Sequence, residues 1–139
     1  MLVLSPALVT FGGSRWEHVT LVSIDRSAER VALEWTDAGA HPTLADVPEQ
    51  RVTVRVVQRV ERDDLNAPRP GDAGELVLYT SPGGGDAGRR KVSAPAVVTH
   101  VEHDVTLRRG AQRVIRLVAV SADGAADPVT VSDAGGGEA

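Results

Sequence analysis

Cysteine is absent from this 139-residue chain, which excludes a disulfide framework, a thiolate nucleophile and a cysteine-ligated metal site. Aromatic residues make up only 3% of the sequence, so few rings are available for stacking on nucleic-acid bases. No apolar run approaches the roughly 18 residues of a membrane-spanning helix. The N-terminus lacks a basic segment and its apolar residues are interrupted by Pro6. We therefore predict no signal peptide and no contact with a membrane.

Valine dominates the apolar residues, and its branched side chain favours strands over helices. In one segment Val31, Leu33 and Trp35 alternate with less apolar residues, which is typical of a half-buried strand. The segment Val114–Val120 is apolar on both faces, which indicates a central strand. Short apolar segments separated by turn residues predict an all-β fold, namely an antiparallel β-sandwich or barrel of about eight to ten short strands with at most one short helix.

The pattern also predicts where the elements lie. Trp16–Ile24 and Arg30–Thr36 read as two strands of a hairpin, and residues 37–50 as a long connection in which Asp46 and Glu49 have the spacing of a helical cap. The remaining predicted strands are Leu2–Phe11, which is interrupted at Pro6, Glu75–Thr80, Arg89–Ser93, Ala96–Leu107, Gln112–Ser121 and Pro128–Ser132. Residues 1–132 are expected to form one domain, and the Gly-rich residues 133–139 a disordered tail.

Residues 51–62 fit two interpretations. Their arginines recur at helical spacing, but their valines alternate and argue for a strand, which we prefer. On a strand, Arg51, Arg55 and Arg59 line one face, and they are our candidate residues for contact with a partner. Two further basic groups occur; they comprise Arg89, Arg90 and Lys91, and Arg108, Arg109 and Arg113. Such groups either keep a sheet soluble and block edge pairing, or contact acidic neighbours or passing nucleic acid.

The motifs of common catalytic sites are incomplete. Gly83 and Gly88 have the spacing of a phosphate-binding loop, but arginines and a lysine follow in place of Lys-Ser or Lys-Thr. His100 and His103 fall on opposite faces of a strand, so they cannot easily share a metal; we expect His100 to be exposed and His103 to be buried and hydrogen-bonded. We predict no catalytic residues, no metal site and no cofactor, and thus a protein that is not an enzyme.

The net charge of −4 is concentrated in the first 50 residues, which hold three arginines and seven acidic residues. The rest of the chain balances twelve basic against twelve acidic residues. A protein that reads DNA through a large surface is usually more basic, so we predict no sequence-specific nucleic-acid binding. The acidic third could instead meet a basic patch on a neighbouring copy.

Three segments in the second half, Gly71–Thr80, Ala96–His103 and Gln112–Val129, follow one another as strand and turn residues. Their order resembles that of bacteriophage tail tube proteins and the related tube proteins of contractile secretion systems, over residues 70–132. The resemblance implies a β-sandwich subunit that forms homo-oligomeric rings, which stack into a tube with other tail or tube proteins as possible partners. It further implies assembly in the cytoplasm and a place in a virion or phage-like particle. The alternative is a β-sandwich binding or adaptor module for a protein or glycan.

Overall fold

The computed structural model describes residues 2–4, 8–60, 68–80, 90–106 and 110–133, and these residues form nine strands and no helix. All strand pairs are antiparallel, so the predicted all-β antiparallel fold is confirmed. The strands are β1 (Leu2–Leu4), β2 (Leu8–Phe11), β3 (Ser14–Trp16), β4 (Val19–Glu34), β5 (Leu44–Val60), β6 (Ala73–Thr80), β7 (Arg90–Thr106), β8 (Gly110–Ala119) and β9 (Thr130–Asp133).

The nine strands form one sheet in the order β1-β4-β5-β8-β7-β6-β2-β3, with β9 beside β7. The sheet is not closed into a barrel, because β1 and β3 are its two ends. Strand β7 joins the two halves of the sheet: residues 90–97 pair with β6, and residues 96–106 pair with β8. β8 lies between β5 and β7, as its doubly apolar sequence predicts.

One face of the sheet carries the core, and side chains from both halves join a single cluster. Val56, Ile115 and Leu117 are fully buried in it. The cluster consists of Val9, Phe11, Val22, Ile24, Val52, Val54, Val56, Leu76, Leu78, Val92, Ala94, Ala96, Val98, Ile115, Leu117 and Ala119. Burying each large aliphatic side chain contributes about 1.5–3 kcal/mol, so this face holds the two halves together.

The predicted hairpin of Trp16–Ile24 and Arg30–Thr36 is wrong. Both segments belong mostly to β4, which continues to Glu34 and pairs along its length with β5. The connection predicted over residues 37–50 is shorter in the structure, because β5 already begins at Leu44. The helical turn expected near Asp46 is wrong, since Asp46 lies in β5. Backbone pairing with β4 satisfies the polar groups that a helical turn would have satisfied internally.

Strands β4 and β5 extend well beyond their neighbours. β1 pairs with β4 only as far as Ile24, and β8 pairs with β5 only from Thr53 onward. Residues 26–51 therefore form a two-stranded projection, the arm, in which every residue is exposed. Its register shifts opposite the segment that contains Pro48, which has no N–H to donate to the ladder.

Three further predictions about elements can be compared with the structure. Residues 51–60 are strand, as preferred over a helix, while residues 61 and 62 lie outside the described residues. The segments Arg89–Ser93 and Ala96–Leu107 are predicted as separate strands, but residues 90–93 and 96–106 both belong to β7, which runs through Pro95. Residues 89 and 107 lie outside the described residues. The first predicted strand is described as β1 and β2, with residues 5–7 between them outside the described part of the chain.

The glycine-rich turn after Phe11 is a tight hairpin. Gly12 and Gly13 have φ values of 60° and 87°, and Phe11 pairs with Ser14 across them. Two positive φ values in a two-residue loop define the turn whose twist matches that of paired strands. The loop places the short β3 at one end of the sheet.

Candidate functional site

The face of β4, β5, β8 and β7 opposite the core, here called the outer face, carries the three arginines singled out in the sequence. β5 pairs with β8 without interruption, so Arg55 and Arg59 lie on this face, and Arg51 continues the same row toward the arm. Arg51 is paired, since its Nε lies 3.1 Å from Glu29 Oε2. Arg51 is therefore held by an ion pair within the arm, whereas Arg55 and Arg59 lie on the sheet itself.

Arg55 lies in a row of basic side chains that sequence reasoning missed. It is directly opposite Arg116 of β8, which is directly opposite His100 of β7. Side chains opposite each other in antiparallel strands have Cβ atoms about 4.5–5.5 Å apart. We call Arg55, Arg116 and His100 the basic row. Arg116 stands alone in an apolar segment of the sequence, so only the alternation of β8 could have placed it on the surface.

The basic row has little compensating negative charge. His100 Nε2 is 3.6 Å from Glu102 Oε1, with both side chains about half exposed. Within the described part of the chain, neither Arg55 nor Arg116 forms an ion pair. Like charges directly opposite on neighbouring strands destabilise a sheet, so the row favours an anionic group from outside the chain.

Arg113 has a different place from the one its sequence neighbours suggest. The sequence groups it with Arg108 and Arg109, which lie outside the described residues, but its own side chain is only 4% exposed and lies on the core side. Its Nε and Nη2 donate to Gln58 Oε1 at 3.2 Å, and Gln58 Nε2 donates to the Glu17 carbonyl at 2.8 Å. Burial of a cation requires such partners, so Arg113 belongs to the interior.

His103 follows Arg113 in the same buried row, directly opposite it on β7. The prediction that His100 and His103 face opposite sides is confirmed by the register. The expectation that the His103 side chain is hydrogen-bonded is wrong for Nε2. That nitrogen is buried and has no hydrogen-bond partner among the described residues. Among the described strands, only β8 pairs with this part of β7.

Two cavities accompany these features. A polar cleft of about 510 Å³ lies beside the buried Arg113 and Gln58 and is bordered by Trp16 and His18. A groove of about 620 Å³ lies where the arm leaves the sheet, between Gln50 and the segment 119–128. Arg26 Nη2 closes this groove from one side, 2.9 Å from Asp127 Oδ2. The first cleft is also lined by Ser14, Glu17, His18 and Asp72. Among the described residues no hydrogen bond joins the Ser14 and His18 side chains, as a nucleophile and its base would require.

The segment that borders this groove is organised by Asp123. The carboxylate Oδ1 accepts hydrogen bonds from the amides of Ala126 at 3.0 Å and Ala125 at 2.9 Å, and from Ser121 Oγ at 3.0 Å. These donors stabilise the charged form, the Ala126 amide most, and lower the pKa of Asp123 below its ordinary value of 3.8. Asp123 is thus explained as a turn-forming residue.

The arm presents apolar side chains to solvent on a ribbon that has no core of its own. These exposed residues are 37–55% accessible; they are Val31, Leu33, Trp35, Leu44 and Val47. The connection at the tip is closed by the Thr43 amide, which donates to the Glu34 carbonyl at 2.8 Å. Exposed apolar groups gathered on one projection are typical of an interaction site.

Across the described residues, no three His, Asp or Glu side chains converge as a metal site would require. The same residues contain no helix that is long and apolar enough to span a membrane. The expectations of no metal and no membrane contact stay predictions.

Comparisons with known proteins show a likeness of fold and no likeness of sequence. No protein-family model and no curated protein sequence matches the chain. The chain is similar to a chain in a solved structure of the tail of an empty GTA particle, obtained by helical refinement with C6 symmetry. The TM-score is 0.53 at 12% identity, over 83% of this chain and 82% of that chain. At this identity the likeness establishes a shared fold.

Proposed function

We propose that this protein is a structural subunit of a phage tail or tail-like tube, and that its copies assemble into rings. The observation that carries the proposal is the open sheet, whose two ends differ, in a fold similar to that of a chain from a particle tail with C6 symmetry. A fold by itself does not define a function. Here the fold likeness and the free sheet ends support the same role.

The two sheet ends explain how a ring would close. Among the described strands, β1 and β3 each pair with only one other strand, so each presents one edge of backbone N–H and C=O groups that no described strand covers. Open edges favour pairing with another chain. If the β1 end of one copy joins the β3 end of the next, the contact is head to tail, and such contacts form rings when the rotation closes.

In this role the protein has no catalytic centre and no cofactor, and its partners are copies of itself and other tail or tube proteins. Assembly would take place in the cytoplasm, and the product would be part of a virion or phage-like particle. Arg55 and Arg59 are proposed contact residues on the open face, and Arg51 supports the base of the arm through Glu29. The tube would let its cargo pass without binding it tightly.

The test of the proposal is the state of the purified full-length protein. We expect light scattering to give a mass that grows with concentration, and electron microscopy to show rings. A protein that stays monomeric at the highest attainable concentration and shows no rings would contradict the proposal.

A proline placed on the β3 edge sharpens this test. Phe11 and Ser14 flank the two-residue turn and exchange backbone hydrogen bonds, so the next pair, Thr10 and Arg15, directs its N–H groups away from each other. Arg15→Pro therefore removes an outward N–H without breaking a bond within the hairpin. We expect it to abolish rings while Arg15→Ala, which keeps the N–H, still forms them. Equal assembly of both variants would argue against pairing through β3.

A further inference from the structure

We propose that the arm of one copy binds the basic row on the outer face of another copy. The inference rests on the proposed function, which it deepens by naming the surfaces that would join successive copies. The partner surface is an acidic, apolar β-ribbon, and the receiving surface is Arg55 and Arg116 with His100 beside them. The tests below separate this contact from ring formation.

The outer part of the arm has the composition that the basic row would recognise. Residues 31–47, here called the distal arm, contain three acidic residues, Glu34, Asp37 and Asp46, and no lysine or arginine. The arginines of the arm, Arg26, Arg30 and Arg51, lie nearer its base. Arg26 is bound to Asp127 and Arg51 to Glu29, and Arg30 lies directly opposite Glu49. The distal arm therefore keeps its negative charge available to a partner.

The arm also offers an apolar group beside its charges. Glu34, Leu44 and Asp46 lie on one face of the arm, because Leu44 is directly opposite Glu34 and Asp46 is two residues further along the same strand. Leu44 is 49% exposed. Beneath the basic row, Val57 and Val114 are opposite each other in β5 and β8 and only 8% exposed, so the arginines dominate the surface that a partner would meet. Contact would cover Leu44 and place the two carboxylates against the arginines, and such charge complementarity gives an interface its specificity.

The arm cannot reach the basic row of its own chain. Val47, at the near end of the distal arm, and Arg55 lie on the same strand and are eight residues apart. An extended strand rises about 3.3 Å per residue, so roughly 26 Å separate them. Both strands of the arm run in the same direction away from the row, so the distal arm can meet this surface only on a different copy.

Charge reversal tests the contact in the full-length protein. Arg55→Glu with Arg116→Glu should weaken association by about tenfold or more, since close charge pairs across an interface couple strongly. Glu34→Arg with Asp46→Arg should weaken it similarly, and the four changes combined in one chain should restore it. Lys91→Glu, which makes one such charge reversal on the β6 side of the sheet, is the control for Arg116→Glu alone and should have no effect. Reversals that leave association unchanged, or a combination that fails to restore it, would overturn the proposal.

Crosslinking makes the result independent of ring formation. Because the chain has no cysteine, Ala32→Cys in the arm and Thr99→Cys beside His100 introduce single thiols, on two separate proteins. We expect a mixed disulfide between the two proteins under mild oxidation. Its yield should fall when the protein that carries Thr99→Cys also carries Arg116→Glu. Rings without this disulfide would overturn the arm contact and leave the proposed function standing. The disulfide without rings would support the arm contact and contradict ring assembly.

A nucleic acid is the other polyanion that the basic row could receive. A labelled DNA duplex at low salt is the probe. We expect weak binding that competes poorly with self-association. Tight DNA binding that Arg116→Glu abolishes, with association unaffected by the charge reversals, would assign the row to nucleic acid and overturn the proposal.

Discussion

At the scale of single residues, Gly74 shows how closely two strands approach in this fold. A Cβ atom at this position would lie 3.0 Å from Gly12 Cα and 3.1 Å from Gly12 N. The contact is with backbone, which cannot rotate away, and it joins β6 to the turn after β2, where the Gly12 amide donates to the Glu75 carbonyl at 3.0 Å. Two glycines far apart in sequence thus fix one packing contact.

We therefore expect Gly74→Ala to destabilise the protein by about 1–3 kcal/mol, because the added methyl group forces a backbone shift. Gly39→Ala is the matched control, since Gly39 has no atom within 4 Å of the added Cβ and lies in the arm connection. Thermal or denaturant unfolding of the two variants measures the difference. Equal stability of the two variants would show that the Gly12 turn moves freely.

Asp123 gives a prediction about pH. Its carboxylate accepts the Ala125 and Ala126 amides, and these bonds lower its pKa below 3.8. Because the folded-state pKa is the lower one, the contribution of these bonds is fully present above pH 3.8 and is lost as the pH falls through the folded-state pKa. The amide NMR signals of Ala125 and Ala126 should shift with a midpoint below 3.8.

The Asp123→Asn variant is the control for this titration, because it cannot ionise at this position. Its Ala125 and Ala126 amide signals should show no such midpoint. A midpoint at or above 3.8 in the unaltered protein would contradict the hydrogen-bonded turn.

At the scale of elements, the arm is separable from the core. The residues of β4 and β5 that join the core cluster, Val22, Ile24, Val52, Val54 and Val56, all lie outside it. A two-stranded ribbon without a third strand is marginally stable in water, so the arm contributes little to the stability of the fold. Its length and exposed apolar groups are better explained by contact with a partner.

Deleting the arm should therefore leave a folded protein that loses only the contact with the basic row. Ala28 and Gln50 are paired, so residues 29–49 can be replaced by Asn-Gly, which favours a two-residue hairpin turn. We expect Tm to change by less than about 5 °C and association through the basic row to be lost, while rings that close through β1 and β3 still form. Removing only residues 36–42 keeps Glu34 and Leu44 and serves as the control. Unfolding of the arm-deleted protein, or association as strong as that of the unaltered protein, would contradict this division of roles.

At the scale of the whole molecule, the distribution of charge determines how copies would meet. The net charge is −4, and the first 50 residues carry all of it. The basic row lies on β5, β8 and β7 and the distal arm on β4 and β5, so the two present opposite charges at different ends of β5. A molecule with such polarity favours head-to-tail contacts over symmetric ones.

Assembly should accordingly depend on salt. Raising the ionic strength from about 0.01 M to about 1 M shortens the Debye length from about 30 Å to about 3 Å, so the mass measured by light scattering should fall. The variant with all four charges reversed should show the same dependence, because it keeps the opposite charges. Assembly that strengthens with salt would indicate that apolar contacts or backbone pairing dominate.

Much of the fold could be predicted because it depends on local chemistry. Alternating valines indicate a strand whatever the neighbouring strands are, so the sequence predicts residues 51–60 of β5 as strand, and the apolar faces of β8 mark it as central. The turn at Gly12-Gly13 follows from the positive φ values that glycine allows. By itself, the sequence determined an antiparallel all-β protein.

Only the tertiary structure decided which residues meet. Register brings together Arg55, Arg116 and His100, which no local pattern connects. Long-range pairing merged predicted strands into β4 and β7, because a strand continues through a polar segment or a proline where a neighbour supplies its hydrogen bonds. The same pairing buries Arg113 against Gln58 and leaves the arm exposed. Strand type is a property of neighbouring residues, whereas an interaction surface is a property of strands paired across the whole chain.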